Sequence, residues 1–106
     1  MPKYLFQGSY TLEGVKGLLK DGGSRRRAAA QHAVESVGGK VEAFYFTFGK
    51  DDVVLLLDAP DNVSVAAVSL AVAAAGGFAG RTTVLLTPEE IDQATKKAVS
   101  YRAPGQ

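Results

Sequence analysis

Apolar side chains recur at every second position in two stretches of the chain, a period that predicts β-strands. The first predicted strand covers residues 4–10 and the second covers residues 41–48. One face of the second strand carries Phe44, Phe46 and Phe48, and the other carries Val41, Ala43, Tyr45 and Thr47. Residues 53–57 are apolar throughout, which predicts a third strand with both faces buried. The short turn between the second and third strands predicts an antiparallel hairpin.

Capping residues mark the ends of the predicted helices. Ser24 and Asp61 each stand where an N-cap is expected, Gly38-Gly39 stops a helix, and Thr87-Pro88-Glu89-Glu90 has the pattern of a capping box. Helices are therefore predicted over residues 11–19, 24–37, 62–75 and 88–100, with a fourth strand over residues 81–86. The second of these helices has an apolar stripe made of Ala30, Ala33, Val34 and Val37. His32 and the arginines lie off this stripe.

The order of elements is strand, helix, strand, strand, helix, strand, with a helix appended. This order predicts an α+β, ferredoxin-like βαββαβ fold, in which both main helices cover one face of a four-stranded antiparallel sheet. The chain of 106 residues has the size of one domain, with residues 101–106 expected to be a flexible tail. The extra C-terminal helix follows the last strand.

The face of the sheet away from the helices is expected to be largely apolar, because the second and third strands carry apolar side chains on both sides. Such a face exceeds the exposed apolar area that monomers usually tolerate. The appended helix would cover part of it. A second copy docking sheet against sheet would cover more, so we expect a homodimer or higher oligomer.

Composition excludes several classes of function. Twelve basic and eleven acidic residues give a net charge of +1, which provides no field for general nucleic-acid binding. An RNA-recognition domain would also need aromatic residues on the third strand, which has none. The absence of cysteine excludes disulfides and thiolate sites and favours a reducing cytoplasm.

No segment has the pattern expected of a membrane or export signal. Met1–Tyr10 lacks the basic start and apolar run of a signal peptide. The most aliphatic stretch, Val63–Gly80, contains serines and Gly76-Gly77, so it is a poor candidate for a bilayer span. We therefore expect a cytoplasmic protein with no membrane partner.

Several pieces of the chain occur in the order and spacing seen in one family. They are the run from Tyr10 to Lys16, Lys20-Asp21, the run from Gly38 to Val41, the strand from Phe44 to Gly49, and the run from Asp52 to Asp61. Together they resemble the GYD-domain proteins, small bacterial and archaeal chains named for a Gly-Tyr-Asp signature. Gly49 and Asp52 match that signature, whereas Asp51 stands in place of its tyrosine. The resemblance implies a ferredoxin-like fold of the dimeric α-β barrel kind, and it leaves the biochemical activity open.

Four aspartates bracket the third strand, and we interpret them as turn and cap residues rather than as a metal site. Asp51-Asp52 precede the strand, and Asp58 and Asp61 follow it. The two pairs are separated by a strand of roughly 17 Å, so they cannot share one ion within a subunit. No metal or cofactor is expected.

The start of the second helix is the strongest candidate for a ligand. Gly22-Gly23 precede a helix whose first residues are Ser24, Arg25, Arg26 and Arg27. Free backbone N–H groups and guanidinium groups both favour an anion. The pattern matches neither a Walker A loop nor a dinucleotide fingerprint.

Three hypotheses for function follow. The first is a non-catalytic, self-associating or small-ligand-binding domain, with the ligand between sheet and helices. The second is a cofactor-independent, oxygenase- or isomerase-like enzyme of the dimeric barrel type, in which Tyr4, Tyr45, His32 and an arginine would line a cavity. The third is a regulatory domain that responds to an anion bound by the arginines.

Overall fold

The computed structural model describes residues 1–106 and contains four strands and four helices. The strands are β1 (Lys3–Tyr10), β2 (Lys40–Phe46), β3 (Val53–Asp58) and β4 (Phe78–Leu85). The helices are α1 (Leu12–Asp21), α2 (Gly23–Glu35), α3 (Asn62–Ala75) and α4 (Pro88–Thr95). The strands form one antiparallel sheet in the order β2-β3-β1-β4. This order and connectivity confirm the predicted ferredoxin-like fold with an extra C-terminal helix.

The core lies between the sheet and the two helices α2 and α3. Residues directly opposite one another in an antiparallel pair share a face, and Tyr4 lies opposite Leu57 while Phe6 lies opposite Leu55. These side chains point toward the helices. The buried apolar residues are Tyr4, Val34, Val53, Leu55, Leu57, Ala59 and Val65. The core is therefore small, and it is built on the two central strands.

A glycine lets α1 approach the start of β4. A Cβ atom at Gly14 would lie 1.8 Å from the carbonyl oxygen of Gly77, so no larger residue fits without a backbone shift. The Thr11 side chain caps α1 by accepting a hydrogen bond from the Gly14 amide (3.2 Å) and donates to the Gly76 carbonyl oxygen (2.9 Å). At the other end of α1, Gly22 has φ of 82° and separates α1 from α2. The first crossover is thus two helices, as predicted.

A β-bulge changes the predicted faces of the second strand. The pairing of β2 with β3 shifts between Val41 and Ala43, which places Val41 opposite Leu57 and Phe44 opposite Leu55. Val41 therefore faces the helices, and the prediction that it shares a face with Ala43 is wrong. Phe48 lies beyond the end of the strand and is fully exposed, so the three phenylalanines do not form one buried row.

The predicted ends of two C-terminal elements also differ from the structure. The last strand begins at Phe78 rather than Arg81, because residues 78–80 pair with residues 8–10 of β1. Because that stretch contains a glycine and an alanine, its side-chain pattern alone does not predict a strand. The last helix ends at Thr95 rather than near Ser100.

Helix α4 projects away from the rest of the molecule. It has no extensive packing contact with any strand or other helix, and every residue from Pro88 to Gln106 is exposed. The radius of gyration is 17.0 Å, against about 13 Å for a compact chain of this length. The expectation that the appended helix covers part of the sheet is therefore wrong. We call residues 86–106 the C-terminal arm.

The face of the sheet opposite the helices, here called the open face, has an apolar centre and charged ends. Leu5, Val54 and Leu56 on the central strands are only half-buried. At one end, Lys3 Nζ lies 2.7 Å from Glu42 Oε2 and 2.9 Å from Asp58 Oδ1. At the other end, Arg81 pairs with Asp51. The face is thus less apolar than predicted. No helix has the length and apolar character needed to cross a membrane.

Candidate functional site

A cavity of about 460 Å³ opens between the sheet and the helices α1, α2 and α3. Its floor is formed by Tyr10 and Phe78. The walls carry mostly small side chains, which keep the helices from filling the space between them, namely Gly14, Gly17, Ala33, Ser36, Val37, Ala67, Val68, Ala71, Val72 and Ala75. A recess of about 150 Å³ adjoins it beneath α2 and adds Phe6, Phe44 and Leu55 to the lining. The site is thus an apolar pocket built on an aromatic floor.

Arg26 is the one charged residue that lines both the cavity and the recess. Its side chain is 41% exposed, and its nearest carboxylate is Asp21, with 3.8 Å between Nη1 and Oδ2. That separation is too long for a hydrogen bond. The guanidinium donors of Arg26 are therefore available to another acceptor at the wall of the pocket.

The position of Arg26 on the apolar side of α2 corrects the sequence analysis, which placed all the arginines off the stripe. Residues 26, 30, 33 and 37 follow the 3.6-residue period, and Ala30, Ala33 and Val37 line the same cavities. Extending that period back by one turn from Ala30 would have found Arg26. The other three residues of the predicted anion site, Ser24, Arg25 and Arg27, are exposed, and an anion there stays a prediction.

Tyr10 was not predicted as a site residue. It follows Tyr4, Phe6 and Gly8 on the helix-facing side of β1, so the period of two that predicted the strand also places Tyr10 over the core. Its ring meets Phe78 edge to face, with 5.2 Å between centroids. Phe78 also stacks on Phe6 at 5.7 Å. The floor of the cavity is therefore held by ring packing.

The two positions that match the family signature, Gly49 and Asp52, lie in and after the turn between β2 and β3. Gly49 is exposed, with open space where a Cβ would be. The Asp52 carboxylate accepts a hydrogen bond from the Tyr10 amide at 3.0 Å. The Asp52 amide donates to the Gly8 carbonyl oxygen at 2.9 Å, and its carbonyl oxygen accepts from the Thr47 amide at 2.8 Å. Asp52 therefore fixes the end of β1 that carries the floor of the cavity.

Asp51, which stands in place of the signature tyrosine, forms a two-pronged ion pair. Its carboxylate oxygens lie 3.2 and 2.9 Å from the two terminal nitrogens of Arg81 on β4. The pair reaches across β1, because Arg81 lies opposite Gln7 of that strand. The carboxylate of Asp51 therefore already has an ion-pair partner in the same chain.

Asp61, Asp58 and Glu42 act as a helix cap and as ion-pair partners. Asp61 caps α3 by accepting from the Ser64 amide at 2.8 Å, and this hydrogen bond lowers the pKa of its carboxyl group. Hydrogen bonds to Glu42 and Asp58 raise the pKa of Lys3. The contact of Asp61 agrees with its interpretation as a cap residue, whereas Asp58 at the end of β3 is an ion-pair partner of Lys3.

The three residues proposed for an enzyme lie apart in the single chain. Tyr4 is buried, and its hydroxyl donates to Asn62 Oδ1 at 2.6 Å. Tyr45 lies opposite Val54 on the open face and is 68% exposed. His32 is exposed on α2 and lines neither the cavity nor the recess. The single chain does not bring these residues together. A catalytic role for them stays a prediction.

Comparison with known proteins identifies a family and nothing finer. A family model described as GYD domain matches residues 4–95, a span that includes the whole sheet except Lys3 and every residue lining the cavity. None of the curated proteins compared with the chain matches it. None of the solved structures does so either.

Proposed function

This chain belongs to the GYD domain family, and on that premise we propose that it is a non-catalytic, self-associating domain that binds a small amphipathic anion. The ligand lies in the cavity between the sheet and α2 and α3. Its apolar part rests on the aromatic floor, and its acidic group meets Arg26. The absence of cysteine supports a reducing cytoplasm as the place of action.

The observation that carries this proposal is a single guanidinium group at the wall of an otherwise uncharged pocket. The volume of about 460 Å³ is within the range of small-molecule pockets, which are mostly apolar with a few polar groups that fix orientation. An arginine offers paired donors that fit a carboxylate or phosphate. The pocket chemistry therefore favours a ligand with one anionic end and an apolar body.

The lining of the cavity also supports a binding role over a catalytic one. Apart from Arg26, the only polar side chains at the main cavity are Tyr10 and Ser36. Neither a histidine nor a carboxylate lines the cavity, so it lacks the side chains that most often act as a general base.

The open face supports self-association. Its apolar centre is half-exposed in a single chain, and the C-terminal arm does not cover it. The charged ends, with Lys3, Glu42 and Asp58 at one side and Arg81 and Asp51 at the other, would form the rim of a contact around that centre. A second copy packed sheet against sheet would bury the apolar centre.

Binding of decanoate and of 1-naphthoate, measured by isothermal titration calorimetry, tests the ligand site. We expect both carboxylates to bind more tightly than their uncharged amides. In Arg26→Ala the affinity should fall by about tenfold or more, because a charge-assisted hydrogen bond contributes about 1.5–3 kcal/mol.

Arg27→Ala is the matched control, since Arg27 lies one residue further along the same helix and is exposed. Its affinity should equal that of the wild type. The ligand proposal is wrong if neither carboxylate binds, if the amides bind as well, or if both arginine variants lose affinity equally. Inorganic phosphate can be titrated in the same way. If it binds the wild type and binds neither arginine variant, the result would instead support the regulatory hypothesis.

A further inference from the structure

A third apolar space lies between α2 and α3, next to the cavity and the recess of the candidate site. Its volume is about 70 Å³, and we call it the inner space. Ala33 and Val72 line all three spaces, so the inner space adjoins the other two. Arg26 lines the cavity and the recess but not the inner space. The three spaces therefore form one apolar region with a guanidinium group at one end.

The inner space offers no free polar side chain to a water molecule. Its one hydroxyl group belongs to Ser69, which shares a hydrogen bond with the Thr82 hydroxyl at 3.2 Å. The other lining residues are apolar. A buried water needs roughly two to four polar partners, whereas an apolar space stays dry and takes up apolar groups. The inner space therefore favours a hydrocarbon group.

The inner space is too small for an aromatic ring. An apolar cavity of about 150 Å³ can hold benzene, and the inner space has less than half of that volume. Its lining includes the buried core residues Leu57, Ala59 and Val65. Close packing around these residues leaves little room for the space to widen. The group that enters must therefore be narrow, like the end of an unbranched alkyl chain.

Helix α2 gives the length of the path from the guanidinium group to the inner space. Val34 lines the inner space and lies eight residues after Arg26 in the same helix, a separation of about 12 Å. An extended alkyl chain advances by about 1.3 Å per carbon, because its bonds are about 1.5 Å long and alternate in direction. A chain of about nine or ten carbons therefore spans the path.

We propose that the ligand of this site is an unbranched alkyl carboxylate of about ten carbons, whose chain end fills the inner space. This inference rests on the proposed function and narrows its ligand to one chemical class. The carboxylate lies at Arg26, the chain passes Ala33 and Val72, and the last carbons lie against Val65. The core residues at the inner space thereby set an upper limit on chain length.

Isothermal titration calorimetry with hexanoate, octanoate, decanoate and dodecanoate, each below its micelle concentration, tests the proposal. For the wild type we expect the affinity to rise about two- to fourfold with each added carbon up to decanoate, because every buried methylene group favours binding. Dodecanoate should bind no more tightly than decanoate, since the inner space is then full. An affinity independent of chain length, or one that rises equally through dodecanoate, would overturn the proposal.

Substitutions of Val65 should move this limit, because Val65 lines the inner space and neither of the other two spaces. Val65→Leu should lower the affinity for decanoate about fourfold or more relative to hexanoate, which is too short to reach the inner space. It should lower it equally relative to 1-naphthoate, which is too wide to enter. Val65→Ala should let dodecanoate bind more tightly than decanoate. The same substitutions at Val63, which is 79% exposed on α3, are the controls and should leave the chain-length preference unchanged.

The results distinguish this inference from the proposed function. If the carboxylates bind and Arg26→Ala weakens them, but both Val65 variants keep the wild-type chain-length preference, the alkyl-chain proposal is wrong and the proposed function stands. If no carboxylate binds, both are wrong. Far-UV circular dichroism shows whether each variant is folded, and the wild-type series decides the proposal if a Val65 variant unfolds.

Discussion

At the scale of single residues, Asp52 connects the start of β3 to β1 and to the segment after β2 at one end of the sheet. Its amide bonds to Gly8 on β1, its carbonyl oxygen to Thr47 after β2, and its carboxylate to Tyr10 at the end of β1. Tyr10 also forms the floor of the cavity. Asp52 therefore has a structural task here, and its effect on ligand binding would pass through the placement of Tyr10.

We expect Asp52→Ala to lower the free energy of unfolding by about 1–3 kcal/mol, because the Tyr10 amide loses its acceptor. Asp51→Ala should cost no more than about 1 kcal/mol, since its partner Arg81 lies at the surface. Urea denaturation followed by far-UV circular dichroism measures both. Equal losses in the two variants would contradict the special role of Asp52.

At the scale of elements, the sequence predicted every helix and strand but not all their ends. The hairpin, the caps at Asp61 and Thr87 and the break at Gly22 follow from local chemistry. The prediction of Ser24 as an N-cap is wrong, because Ser24 lies inside α2, whose N-cap is Gly22 without a side-chain hydrogen bond. The bulge near Val41 and the early start of β4 at Phe78 follow from pairing with distant strands, which leaves no mark on local pattern. Arg26 was predicted to bind an anion because of its charge, whereas its position at the wall of the cavity depends on the orientation of α2.

The contact of α1 with the start of β4 gives a prediction at this scale. Gly14→Ala should destabilise the protein by about 1–3 kcal/mol, because its Cβ would overlap the Gly77 carbonyl oxygen. Gly17→Ala in the same helix meets nothing within 4 Å and should stabilise by about 0.5–1 kcal/mol. Thermal unfolding measures the pair, and a gain of stability in both variants would show that α1 does not need this close approach.

At the scale of the whole molecule, little of the single chain is fully buried. Only eight of 106 residues are buried. We therefore expect the apolar centre of the open face to affect the oligomeric state of the chain in solution. The sequence predicted an uncovered sheet face from its strand order. It did not predict the charged ends of that face, because Lys3, Glu42 and Asp58 meet only through pairing of distant strands.

We expect Leu56→Glu to weaken self-association, since it places a charge in the middle of the apolar centre of the open face. Leu70→Glu is the control, because Leu70 is 71% exposed on the outer side of α3. Sedimentation velocity at micromolar concentration measures the populations. A monomeric wild type, or dissociation by Leu70→Glu alone, would contradict docking through the open face.

The C-terminal arm shares no packed face with the folded body, and all its residues from Pro88 onward lie in solvent. Cutting the chain after Leu86 would consequently leave the melting temperature of the isolated body almost unchanged. Substitutions in the last twenty or so residues should accordingly leave the stability of the folded body almost unaffected.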